Sequence, residues 1–187
     1  MRNYQGKKIW IIGASSGIGK ALAIELASQG AILALSARRS DQLEQVRGQC
    51  DGDQHLSIPL DIADYQATSQ AFDTIIQQWE TIDSVIFMAA IYTPHDGAYK
   101  DIAFTHKALN VNLGGAYNTL YAVTKHMRQQ QYGQIALCGS VAGYRGLPMG
   151  QPYCSTKAAI ISLCETMRVD LSPYNICLLY TSDAADD

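Results

Sequence analysis

Tyr153 and Lys157 stand four residues apart in the stretch YCSTK. Side chains at that spacing share one face of a helix, so a phenol and an ammonium would meet here. A phenol exchanges protons poorly at neutral pH unless a cation beside it favours the phenolate. The pair is either a proton-transfer site or one turn of ordinary surface, and the rest of the chain has to decide.

A second constellation lies near the N-terminus. An apolar run ends in Gly13-Ala14-Ser15-Ser16-Gly17-Ile18-Gly19, with spacing GxxxGxG, and an amphipathic segment follows. Glycines allow a sharp turn and a close approach of backbone to ligand. A helix opening there presents unpaired N–H groups and positive potential to a phosphate. Alone the pattern marks a tight turn; between a strand and a helix it argues for dinucleotide binding. About 20 residues further on, the second apolar run ends in Ala37-Arg38-Arg39. A carboxylate at this place would bond ribose hydroxyls, whereas a guanidinium grips a 2′-phosphate through paired hydrogen bonds. The expectation is NADP rather than NAD, with Arg38 as the phosphate ligand and the other arginine solvated.

The elements that must position these groups alternate along the chain. Strands are expected over 8–12, 31–36, 55–60, 84–90 and 134–140, with helices over 17–30, 40–49, 64–80, 101–130 and 150–171. Continuously apolar strands alternating with helices imply a parallel sheet covered on both faces, a doubly wound α/β unit in three layers. No internal repeat, linker or low-complexity segment interrupts it.

Bulk properties agree with one globular domain. The 187 residues are 48% hydrophobic and 17% charged, with a net charge of −3. No basic face suggests a nucleic-acid partner. The apolar run at 9–12 is too short for a signal peptide or a membrane span, which makes the cytoplasm the expected compartment and no membrane partner expected. The five cysteines (50, 138, 154, 164 and 177) show no CxxC pair and read as reduced thiols. His95, His106 and His126 have no spacing that suggests a metal or a triad.

Five motifs in order carry a resemblance: GASSGIG (13–19), LDIAD (60–64), NVNLGG (110–115), LCGSVAG (137–143) and YCSTKAA (153–159). Together they resemble the short-chain dehydrogenase/reductase family in its compact single-domain branch, with a Rossmann-like fold, up to about Ile176. The resemblance implies an oxidoreductase interconverting a carbonyl and an alcohol. It makes Tyr153 the general acid/base and Lys157 its neighbour, Ser140 the holder of the substrate oxygen, and Asn112 the residue positioning a water that leads from Lys157 to solvent. Gly13, Ser15, Ser16, Gly17, Ile18 and Gly19 would cradle the cofactor. Asp61 would contact the adenine with Ile62 beside it, Ala89 and Ala90 would lie by the ribose, and Tyr153 and Lys157 would complete the cofactor site. The partners implied are a small carbonyl or alcohol substrate and further copies of the chain, as a homodimer or homotetramer built on the helices at 101–130 and 150–171. Ala158, Ala159, Leu163 and Met167 form a stripe on the last helix that serves an interface or a core equally well. A competing reading is a catalytically silent NADP-binding regulator or scaffold of the same fold. The loop 143–149 is expected to border the substrate pocket.

The sequence also departs from the family pattern. Ile12 stands where relatives often have Thr, and Phe87-Met88-Ala89-Ala90 where they commonly read Asn-Asn-Ala-Gly. Shifted local packing is expected there. After Ile176 comes CLLYTSDAADD, which resembles the translation of a sequencing-library adapter. The expectation is a domain over 1–176 that is incomplete at its C-terminus, lacks the last strands and is followed by a non-native tail over 177–187. On that expectation the sheet has an uncovered edge, and the 187-residue chain is unstable or inactive while its longer parent is an active reductase.

Overall fold

The computed structural model describes residues 4–94 and 101–181. Its strands are β1 (Lys8–Ile12), β2 (Ile32–Ala37), β3 (Leu56–Pro59), β4 (Ser84–Phe87), β5 (Gly133–Cys138) and β6 (Ile176–Thr181). All pair in parallel, in the order β3-β2-β1-β4-β5-β6. The order reverses between β1 and β4, and the crevice at the carboxyl ends of strands beside such a reversal is where open α/β sheets bind ligands. The helices are α1 (Gly17–Ser28), α2 (Ser40–Arg47), α3 (Tyr65–Trp79), α4 (Ile102–Leu109), α5 (Gly115–Gln130) and α6 (Tyr153–Leu171).

Alternation along the strands builds two cores. Ile9, Ile11, Leu33 and Leu35 point to one face, where they pack with Leu26 of α1 and Leu43 of α2. Trp10, Ile12, Val85, Phe87, Ile135 and Leu137 point to the other and meet Phe72 and Ile75 of α3, Leu120 and Val123 of α5, and Ile160 of α6. Trp10 is fully buried, and its indole N–H donates to Ser36 Oγ at 2.9 Å, which satisfies the one polar atom of the ring. Aliphatic packing of this kind contributes about 1.5–3 kcal/mol for each large side chain fully buried.

Element limits shift by one to three residues from the sequence expectation, α6 for instance starting at Tyr153 rather than 150, and two differences bear on the site. β4 ends at Phe87, although the apolar run continues to Ala90. Met88 still receives one sheet-like bond, donating its N–H to Ile12 O at 2.7 Å, before the chain turns into the cleft. The expected helix over 101–130 is broken by a π-helical segment, Asn110–Gly114, between α4 and α5. Such wide turns are rare and concentrate at functional sites.

The expectation that no strand follows Ile176 is corrected. β6 pairs with β5 from Gly133↔Ile176 to Cys138↔Thr181. Its alternation explains why: Ile176 and Leu178 are buried in the core beside α6, while Cys177 is exposed. On the opposite face, the registered neighbours Ile86, Ala136 and Leu179 are only half-buried, so apolar surface does remain open under β4–β6. The stripe on α6 also divides, with Leu163 buried, Ala159 and Met167 half-buried, and Ala158 exposed.

Candidate active site

The glycine turn is built by close approach. Gly13 has φ +97°, and its N–H donates to Ser36 O at 2.7 Å. A Cβ at Gly13 would lie 2.7 Å from Ala89 N and 2.9 Å from Ala89 Cα, so only a hydrogen fits between the ends of β1 and β4. A Cβ on Gly19 would stand 2.3 Å from Gly13 O, which explains the glycine one turn into α1. Ser16 occupies the cap of α1 without a side-chain capping bond, and no acidic residue stands in the first turn. First-turn amides have no intrahelical partner, so they are free for an anion.

Above this turn opens a cleft of about 390 Å³. Gly13, Ser15, Ser16, Ile18, Gly19, Arg38, Asp61, Ile62, Ala89, Ala90, Tyr153 and Lys157 all line it. Glycine and charged groups from the first half of the chain thus share one space with the phenol and ammonium of the second half. Gly17 does not line it; with φ +57° it shapes the turn. Asp61 is exposed and its Oδ1 accepts from Ala63 N at 3.1 Å. Ile62 is buried, and its side chain would lie 2.9 Å from a Cβ on Gly115.

Lys157 is only 2% exposed. Its Nζ donates to Cys138 O at 2.6 Å and lies 5.5 Å from the centre of the Tyr153 ring. Burial pushes the Lys157 pKa below its ordinary value, and the adjoining Cys138 acts in the opposite direction. α6 starts at Tyr153, so the phenol sits at the helix entrance while Lys157, one turn in, reaches the end of β5.

Ser140 begins a one-turn 3₁₀ helix, Val141–Gly143, and its Oγ accepts from Ala142 N at 3.1 Å. A hydroxyl that accepts there keeps its own proton to donate. Ser140 is not among the cleft-lining residues, but its turn is docked on α6, since a Cβ on Gly143 would meet Lys157 C and O at 2.9 Å. Asn112 also lies outside the lining, 1% exposed, in the π-helical segment. Its Oδ1 accepts from Ile91 N at 2.6 Å, and its Nδ2 donates to Ile91 O at 3.0 Å and to Thr156 Oγ1 at 3.3 Å. The side chain therefore clamps the segment after β4 to α6.

Several cleft residues escaped the sequence reading. Arg39 lines the cleft as Arg38 does, and its Nη2 lies 3.4 Å from both Ser15 Oγ and Ser16 Oγ. The doublet of arginines was the signal, but sequence alone gave no reason to keep both. Tyr92 lines the cleft and its ring meets that of Tyr153 at 4.6 Å between centroids. No spacing rule points to it. Cys138 lines the cleft too, where composition suggested only a small apolar residue. The loop 143–149, expected beside the pocket, contributes nothing to the cleft lining. His95 lies outside the described residues; His106 is exposed and His126 packs edge-on to Phe72 at 5.7 Å. Among the described residues no cluster of His, Cys, Asp and Glu is gathered to hold a metal. No helix among them is long and apolar enough to cross a membrane.

The family model described as short chain dehydrogenase matches residues 7–180, nearly the whole described length. The chain belongs to the short chain dehydrogenase family. It is 35% identical over 183 residues to 11-beta-hydroxysteroid dehydrogenase A of Arachis hypogaea, covering 90% of this chain and 49% of that protein. It is 27% identical over 188 residues to dehydrogenase/reductase SDR family member 7 of Mus musculus, covering 96% of this chain and 56% of that protein. This short chain dehydrogenase chain thus spans about half the length of these curated relatives. Among solved structures, 3-ketoacyl-(acyl-carrier-protein) reductase from Brucella melitensis complexed with NADH superposes with a TM-score of 0.88 at 22% identity, covering 94% of this chain and 74% of that one. That likeness establishes the Rossmann-like open sheet.

Proposed function

We propose that the protein to which this chain belongs is an NADP-preferring oxidoreductase that interconverts a carbonyl and an alcohol, with Tyr153 as general acid/base. The observation that carries the reading is the sharing of one cleft by the glycine turn, Arg38, Arg39, Tyr153 and Lys157. The residues fit a dinucleotide: Gly13 and Gly19 let the end of β1, the turn and the start of α1 pack closely beneath the cleft, and no capping side chain or first-turn acid at α1 competes with a phosphate. In this reading Gly13, Ser15, Ser16, Ile18 and Gly19 hold the pyrophosphate, Asp61 and Ile62 the adenine, and Ala89 and Ala90 the ribose. When bound, the nicotinamide supplies or takes up the hydride.

The chain's own residues do the rest. Tyr153 delivers its proton to the substrate oxygen on reduction and removes it on oxidation. The Lys157 ammonium places positive charge beside the phenol, which stabilises the anion left behind. Ser140 donates its free hydroxyl proton to the same oxygen as charge develops there. Asn112 acts as a positioning residue through Ile91 and Thr156. Arg38 and Arg39 stand beyond the second strand as paired donors for a 2′-phosphate, which supports NADP; the B. melitensis reductase with NADH keeps NAD as the competing cofactor.

We further propose that native sequence ends near Ile176, with 177–187 a read-through tail, and that the longer parent is the active species. Re-sequencing the source locus tests this: an open frame that ends naturally in CLLYTSDAADD refutes it. For catalysis, Tyr153→Phe in the parent should leave NADPH affinity unchanged while turnover falls by at least about 100-fold, the general acid/base contribution. Unchanged turnover would refute the mechanism; absence of turnover in both forms with intact NADPH binding would instead support the silent-binder alternative.

A further inference from the structure

We propose that Tyr92 is a specificity-determining residue that favours substrates carrying an aromatic or conjugated flat group next to the reacting oxygen. The inference rests on the reading above only in placing that oxygen at Tyr153. Tyr92 and Tyr153 line one cleft, and their rings meet at 4.6 Å between centroids with a 45° tilt. This is within the range in which aromatic rings attract one another. Yet Tyr92 is 49% exposed, so its ring is not consumed by a core. It stands beside the phenol with area left for a third ring.

The placement is held by the fold. Ile91, the residue before Tyr92, is bound through both its N–H and its C=O to the buried amide of Asn112, at 2.6 and 3.0 Å. Asn112 is in turn tied to Thr156 on α6, three residues after Tyr153. The backbone beside Tyr92 and the helix that carries Tyr153 are thereby fixed to one side chain. In this proposal a molecule whose oxygen reaches the Tyr153 hydroxyl lies along the adjoining Tyr92 ring, which shares the cleft with it. A saturated group gains only apolar contact there, whereas a flat ring adds an offset or edge-on aromatic pair. Such a pair corresponds to about 3- to 10-fold in affinity.

The test uses the longer parent protein with NADPH present and two product-like alcohols that the reduced cofactor cannot oxidise. Benzyl alcohol and cyclohexylmethanol are titrated by NMR into wild type, Tyr92→Phe, Tyr92→Leu and Tyr92→Ala. The expected result is about 3- to 10-fold tighter binding of benzyl alcohol by wild type and Tyr92→Phe. The ratio should fall close to one in Tyr92→Leu and Tyr92→Ala, with far-UV dichroism and the urea midpoint as the checks on folding. A ratio that survives in Tyr92→Leu overturns the proposal, as does a wild-type ratio near one or binding of neither alcohol. Benzaldehyde reduction by the parent is read separately. A Tyr92-dependent ratio without turnover refutes the redox reading alone, and turnover with a Tyr92-independent ratio refutes this inference alone.

Discussion

Gly13→Ala measures directly how tightly β1 and β4 close around the glycine turn. Two costs act on the variant. Gly13 has φ +97°, where an L-residue with a Cβ is strained by about 1–2 kcal/mol. The new methyl would also stand 2.7 Å from Ala89 N and 2.9 Å from Met88 C, which are backbone atoms and cannot rotate away. Overpacking of this kind adds about 1–3 kcal/mol, so the sum is about 2–5 kcal/mol. Gly17→Ala isolates the first cost: φ is +57°, but nothing lies within 4 Å of its added Cβ. The assay is urea unfolding of both variants against wild type, followed by tryptophan emission, with coincident far-UV dichroism as the test of two-state behaviour. Gly13→Ala should be the less stable of the two by about 1–3 kcal/mol, with a larger loss of dinucleotide affinity. If Gly17→Ala costs as much as Gly13→Ala, the close approach of the two strand ends is not what requires glycine, and the reasoning fails.

Other perturbations have equally definite outcomes. Lys157→Met should abolish turnover and reveal a pH effect on stability: because burial depresses the native pKa below 10.5, the unfolded state binds more protons in the window between the two values. Wild-type stability relative to the variant should therefore rise with pH through that window, and a falling or flat difference in chemical denaturation would contradict it. Asn112→Leu strips both Ile91 backbone groups of their partner, at a cost of about 2–4 kcal/mol, and should lower Tm by about 4–16 °C; a shift below 1 °C would show the clamp to be idle. Arg38→Ala and Arg39→Ala should each weaken NADPH by about 10-fold and leave NADH unchanged in equilibrium titrations; equal losses for the two cofactors would remove the argument for a 2′-phosphate site.

The alternation of apolar runs made β1, β2 and the paired helices legible, because burial on both faces leaves an unmistakable mark in composition. The glycine turn was legible for a different reason: backbone crowding at Gly13 and Gly19 puts a steric cost on any side chain there. The π-helical segment was not, since Asn110–Gly114 has no composition that separates it from α-helix. β6 was masked by the resemblance of CLLYT to an adapter translation, although Ile176 and Leu178 alternate as a half-buried strand does. In the site, helical spacing put Tyr153 and Lys157 on one face and the family motifs singled them out, whereas Tyr92, Cys138 and the second arginine are brought in by tertiary geometry. A residue's neighbours across a cleft leave no periodic trace in the chain.

Trp10 and Trp79 are the chain's two tryptophans, and both are buried in the same cluster. Trp10 also bonds Ser36, whose carbonyl receives the Gly13 amide. The centre of the sheet therefore sets an optical antenna close beneath the glycine turn. Reduced nicotinamide absorbs where indole emits, so its docking would drain the tryptophan glow and return it at longer wavelength, a signal that needs no label and no substrate.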